Sequence, residues 1–157
     1  MSSFQVANIE LYYKAIQFYL DYKPMLLNDL LLVLAPRMDH TRSVNFFTKV
    51  NHLQLVKPYL RSVQNLNNKA VNESLNGLLI QVGEGINEKY EQRREIESTF
   101  HPFQEEDYNG LKTSIDSFDN FDNISLALQL EKHDLIEFRR IAAYLYKGKT
   151  HSYFWWR

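Results

Sequence analysis

The chain has no cysteine in its 157 residues. That excludes a disulfide framework and any thiolate-ligated zinc site, and it suits a reducing compartment. Its longest apolar run, Leu30–Ala35, is far too short to cross a bilayer. Met1–Asn8 has no basic region followed by an apolar run, so no secretory signal is expected. Charge of either sign is not in excess: 18 basic and 19 acidic residues give a net charge of −1. Nothing in that total points to nucleic acid or to an acidic membrane surface. No segment alternates apolar and polar residues between turn signals, so no sheet is expected.

Catalytic and metal-binding patterns are missing as well. The histidines at 40, 52, 101, 133 and 151 form neither HExxH nor a close pair, and read as ordinary core or surface residues. Asp116, Asp119 and Asp122 stand three apart, whereas a calcium loop needs alternating ligands and a central glycine. They read as helix caps in a turn. Gly83-Glu84-Gly85 lacks the third glycine and the lysine of a phosphate loop, and reads as a hinge. No G-x-S-x-G elbow accompanies the serines. Glu105 and Glu106 fit a helix start, where acidic residues are favoured. Asn72-Glu73-Ser74 and Asn123-Ile124-Ser125 match the glycosylation sequon by chance if the chain is not secreted. The expectation is a protein that is not an enzyme and takes no cofactor or metal.

What the sequence does contain is helical periodicity. A hydrophobic fraction of 45% is ordinary for a globular chain of this length. Asn8–Leu20 places Ile9, Tyr12 or Tyr13, Ile16 and Leu20 on one stripe behind an Asn8 cap. Pro24 can open the next helix, Met25–Ala35, which is apolar nearly all round and reads as the most buried. Pro36 stops it, and Asp39 caps a third helix, His40–Val50, with Val44, Phe47 and Val50 inward. Leu53, Val56, Leu60 and Val63 then recur at helical steps, with Lys57, Arg61 and Gln64 on the other side. Asn65–Asn68 makes a turn, and the pattern restarts with Val71, Leu75 and Leu78. Two short amphipathic helices joined by a polar turn form an αα-hairpin, which cannot bury its apolar stripe without neighbouring hairpins.

Residues 81–104 interrupt the rhythm. Asn87–Glu97 is charged with almost no apolar stripe, and Pro102 is another stop. A solvated loop, a marginal helix, a recognition element, or a splice or gene-model difference would each account for it. Glu105–Asp107 opens a helix through Leu111, Ile115 and Phe118. Asp122 or Asn123 caps Ile124–Lys132, with Leu126, Ala127 and Leu130 inward. Asp134 caps Ile136–Lys147, with Phe138, Ile141, Ala142 and Leu145 inward, and Gly148 closes it. Phe154-Trp155-Trp156 ends the chain in a bulky apolar patch with nothing after it to cover it, as a truncated chain would. Helices of this length with short connections predict an all-α fold, an α-solenoid of stacked short hairpins.

One charge asymmetry stands out. Arg37, Arg42, Lys49, Lys57, Arg61 and Lys69 are opposed within their span only by Asp39, while residues 105–122 are acidic. A solvated helix face is one reading. The other is an electrostatic docking edge for an acidic helical partner, with Lys49, Lys57 and Arg61 as the candidate contacts.

Several long runs carry a resemblance. LVKPYLRSVQ followed by NNK-VNESLN, within Leu53–Leu79, resembles the clathrin heavy-chain family. So do Leu26–Leu34 (LLNDLLLVL), Pro36–Thr41 (PRMDHT), Asp119–Leu126 (DNFDNISL) and Leu130–Tyr144 (LEKHDLIEFRRIAAY). The match covers about residues 7–80 and 105–148 and looks like part of the proximal leg. It implies residues 1–80 as hairpins of one repeat region, 81–104 as an insertion, 105–148 as continuing hairpins, and 149–157 as a tail unlike the family. It also implies a zigzag helical stack and a structural part in the coat of endocytic and transport vesicles. The implied partners are the clathrin light chain, held along the proximal leg, and other heavy chains in the lattice. The implied site is the cytoplasmic face of coated pits and vesicles, with the membrane touched only through coat and adaptors. The chain has neither the family's N-terminal propeller nor its trimerisation hub, so alone it is expected not to build a coat. A solenoid scaffold of a vesicle-tethering or vacuolar-sorting complex is the alternative.

Overall fold

The computed structural model describes the backbone of residues 3–90 and 101–148, with side chains described over 8–81 and 108–148. All regular structure among the described residues is helical. The chain divides into two compact units, Met1–Leu75 and Asn76–Arg157.

The first unit starts with α1, Ser3–Tyr22. Asn8 lies inside this helix, not at its cap. Ile16 is fully buried, while Ile9, Tyr12, Tyr13 and Leu20 are half-buried along the expected stripe. After Tyr22 a 3₁₀ turn begins at Pro24, where the missing amide donor is harmless. It leads into α2, Leu27–Leu34. This helix is not the most buried. It buries Leu27 and Leu31, one turn apart, but Met25 before it and Val33 within it are 88% and 76% exposed. Uniform apolarity means all-round burial only where neighbours stand on every side, and in this unit the helices packed against α2 lie on part of its surface.

Asp39 caps α3, His40–Lys49, as expected: its carboxylate accepts from the amides of Thr41 (3.0 Å) and Arg42 (3.2 Å). Val44 and Phe47 point into the core and Val50 is half-buried. The next helix, α4, is Lys57–Val63, with Pro58 in its first turn. Residues 53–56 are turns, so the helical period starting at Leu53 overran the helix by one turn. Val56, Leu60 and Val63 are buried. Gln64, expected on the outer side, is buried as well; a 3₁₀ turn over Gln64–Leu66 tightens the chain and rotates it inward. Asn67 takes the left-handed conformation, φ 51°, that such a reversal needs. From it α5, Lys69–Tyr90, departs.

α5 carries Val71 and Leu75 in the first unit and Leu78, Leu79 and Ile80 in the second, all buried. It runs through Gly83-Glu84-Gly85, where the sequence suggested a hinge. A helix-interior glycine costs about 1 kcal/mol relative to alanine, too little to break a helix by itself. In the second unit α6 is His101–Ser117. Pro102 does not stop a helix; it sits in the first turn, where proline is tolerated, and the helix opens ahead of Glu105. Leu111 and Ile115 are buried.

Asp122 caps α7, Asn123–Leu130, accepting from the amides of Ile124 and Ser125. α8, Ile136–Tyr146, lies along α7. Asp134 does not cap it. The Leu135 amide donates to His133 Nδ1 at 3.1 Å instead, and the His133 ring stacks on Phe138 with centroids 4.3 Å apart. Gly148, φ 70°, ends α8 in the left-handed region that favours glycine. Residues 91–100, the tail 149–157 with its Phe154-Trp155-Trp156 patch, and the Glu105–Asp107 side chains lie outside the described residues.

Candidate docking edge

The three basic residues picked out by the sequence stand around the α3–α4 connection. Lys49 closes α3, and the chain reverses at Asn51, φ 57°, after the His52 amide donates to the Phe47 carbonyl at 3.0 Å. Lys57 opens α4 and Arg61 lies four residues on, so the two share one face of that helix. Lys49 and Arg61 are exposed and Lys57 is half-buried. A cation in a helix's last turn suits the macrodipole, as Arg61 does, whereas one in the first turn does not. Helix stability therefore does not account for Lys57.

Beneath that face the start of α4 is held from the side by α2. Asn28 Nδ2 donates to the Leu55 carbonyl at 2.9 Å, and Asn28 Oδ1 accepts from the Tyr59 amide at 3.2 Å. No side chain of α4's own flanks caps it, so Asn28 serves as the cap from a neighbouring helix. Tyr59 is fully buried. Burial pushes its phenol up to about 12, so at neutral pH it keeps its proton and can donate to His40 Nδ1, 2.7 Å away. These contacts root α4 in the first unit and fix where Lys57 and Arg61 emerge. Asn28 was missed in the sequence. The only signal was one amide between two leucine pairs, where an unpaired polar group would be costly.

The other cations are in part already used. Arg42 donates to Glu10 Oε1 at 2.6 Å and lies 4.5 Å from the centroid of the Tyr13 ring. Lys69 stands 3.8 Å from Glu73, one turn along α5. The basic span is thus opposed by more than Asp39, because folding brings in Glu10 from α1 and Glu73 from α5. No ion pair within the described residues involves Lys49 or Arg61. In the second unit acidic residues are also occupied: Asp116 accepts from the Tyr144 hydroxyl at 3.0 Å, and Asp122 is the α7 cap.

The described residues contain no group of His, Cys, Asp and Glu suited to a metal ion, and no helix among them is long and apolar enough to cross a membrane. What the arrangement offers is two exposed cations, Lys49 and Arg61, and a half-buried one, Lys57, on helices packed into the first unit.

Comparison with known proteins bears on what such an edge belongs to. Residues 31–152 match the model of a family described as a region in clathrin and VPS. The chain is 66% identical over 146 residues to a clathrin heavy chain of Drosophila melanogaster, covering 93% of this chain and 7% of the relative. It is 59% identical over 152 residues to clathrin heavy chain 2 of Homo sapiens, covering 97% and 8%. It is 60% identical to probable clathrin heavy chain 1 of Caenorhabditis elegans, covering 93% and 7%. The chain therefore spans less than a tenth of the curated relatives it matches. The all-α class read from the sequence holds, and the match supplies the solenoid: this chain belongs to the clathrin family of helical repeats.

Proposed function

We propose that the chain is a leg segment of a clathrin coat, a helical spacer whose function is geometry, not turnover. The observation that carries this is identity of 59–66% to animal clathrin heavy chains along more than nine-tenths of the chain. Solenoid residues that only had to pack would tolerate far more exchange among apolar types. The alternative, a scaffold of a vesicle-tethering or sorting complex, is not favoured by those relatives.

In this reading the partners are the clathrin light chain and other heavy chains, and the coat lies on the cytoplasmic face of vesicle membranes. Lys49, Lys57 and Arg61 form the docking edge for an acidic helical segment of the light chain. Apolar contacts between hairpins supply affinity, while the cations set register and association rate. The test is a calorimetric titration of the 157-residue chain with a light-chain central helix at low and physiological salt. A Lys49→Glu/Lys57→Glu/Arg61→Glu variant of confirmed helicity is run beside it. Salt-sensitive binding that the variant loses supports both leg and edge. Binding that the variant keeps discards the three residues, and no binding by the folded chain discards this segment as a light-chain site.

A further inference from the structure

A second surface of the first unit carries a small cleft. Between α1 and the corner leading into α3 lies an open cleft of about 140 Å³. Cofactor and drug-sized pockets run to several hundred Å³, so this one is too small for them. It is close to the ~150 Å³ that suffices for a benzene ring. Ile9, Tyr12 and Tyr13 form one wall and Met38 part of the other.

The walls are pre-set. Tyr13 is fixed by its hydroxyl against Ser43 Oγ at 3.3 Å and by its ring against Phe46, centroids 5.4 Å apart. Arg42 is held over the Tyr13 ring by Glu10. Of the other charged groups lining the cleft, Arg42 pairs with Glu10, and Asp39 accepts from the α3 amides through Oδ1. Arg37, also on the rim and exposed, makes no hydrogen bond or ion pair with any described residue. Its guanidinium is planar, always charged and rich in donors, shaped for a carboxylate.

We propose that this cleft is a docking site, separate from the Lys49–Lys57–Arg61 edge, for a protein segment carrying an aromatic side chain beside a carboxylate. The ring enters between Ile9, Tyr12 and Met38, and the carboxylate pairs with Arg37. A preformed, partly apolar cavity with one uncommitted cation selects for that pair of groups. An aliphatic segment without the acid would leave Arg37 unused, and an acidic segment without the ring would leave the cleft unfilled.

The test is an NMR titration of the 157-residue chain, with methyl-labelled isoleucine and methionine, against the peptide Ac-Ser-Gly-Glu-Phe-Asp-Gly-Ser-NH2. Saturable shifts centred on Ile9 and Met38 are expected. Exchanging the peptide's phenylalanine for alanine should abolish them, and Arg37→Gln should weaken binding about threefold, the loss of one exposed ion pair of roughly 0.7 kcal/mol. A Lys132→Gln variant, changed in the second unit, should bind as the parent does. Shifts centred elsewhere, no shift at millimolar peptide, or an Arg37→Gln change below twofold would overturn the proposal.

Discussion

Removing the Asn28 amide should loosen the start of α4 more than any other single change at a half-buried residue. Asn28 makes two hydrogen bonds to main-chain groups that have no partner within α4: it donates to Leu55 O at 2.9 Å and accepts from Tyr59 N at 3.2 Å. A typical intramolecular hydrogen bond contributes about 1 kcal/mol net, and stranding its buried partner adds desolvation. Asn28→Ala should therefore cost about 2 kcal/mol locally. Read by amide hydrogen exchange, that is roughly a 30-fold faster exchange of the Tyr59 amide, with amides of α7 and α8 unchanged. Asn28→Asp separates the two bonds. It keeps an acceptor for Tyr59 N, which suits a helix N-terminus, but loses the donor and sets a carboxylate against Leu55 O. Its Tyr59 amide should remain better protected than in Asn28→Ala. An alanine variant whose Tyr59 amide exchanges at the parent rate would refute the claim that α2 caps α4.

Three further outcomes follow from burial and charge. Leu31→Ala should destabilise the chain by about 2–5 kcal/mol, the range for truncating a buried leucine, whereas Val33→Ala, at 76% exposed, should stay within about 0.5 kcal/mol in urea unfolding. Burial lowers the His40 imidazole pKa and neighbouring Asp39 only partly opposes this; folding then favours the neutral ring, so its contribution is fully present above about pH 6.5 and is lost as pH falls below that. The urea midpoint should drop between pH 7.5 and 5.5, and less steeply in His40→Gln. The buried Ser114 hydroxyl donates to Asn76 Oδ1 at 2.8 Å, linking α6 to α5. Ser114→Ala alone strands the Asn76 oxygen, so Ser114→Ala/Asn76→Leu should be less destabilised than the sum of its single changes.

Many helix interiors and caps were legible where the cause is local. Asp39, Asp122, Pro58, Asn67 and Gly148 each act through their own backbone neighbourhood, and each stands where short-range rules put it. Misreadings arose where a side-chain contact, near or far in sequence, decides. Asp134 looks like a cap for α8, but the His133 ring, braced on Phe138, reaches the Leu135 amide instead. Leu53 continues the period of α4, yet the helix begins at Lys57, where Asn28 holds the first free amide. The apolar run of α2 records its composition but not which sides have neighbours. The cation cluster and the choice of Lys49, Lys57 and Arg61 within it were both read from the sequence. What the sequence did not show is that Arg42 is taken by Glu10, 32 residues away.

The strength of the proposed edge follows from where its charges sit. An exposed ion pair contributes up to about 1 kcal/mol and is screened by salt. Lys49 and Arg61 are exposed, so the edge adds at most a few kcal/mol at one docking event. It can set register and speed encounter, but it cannot hold a partner tightly. That limitation suits an assembly that must also come apart. When many identical segments engage at once, each linked contact raises the effective concentration of the next, and avidity exceeds single-site affinity by orders of magnitude. Loss of a few contacts then releases the whole. Bidentate arginine–carboxylate pairs are stronger contacts than exposed lysine pairs, and an assembly built on them would be correspondingly harder to dismantle. Exposed Lys49 on α3 and Arg61 on α4 therefore fit the proposal of a leg segment in a reversible coat.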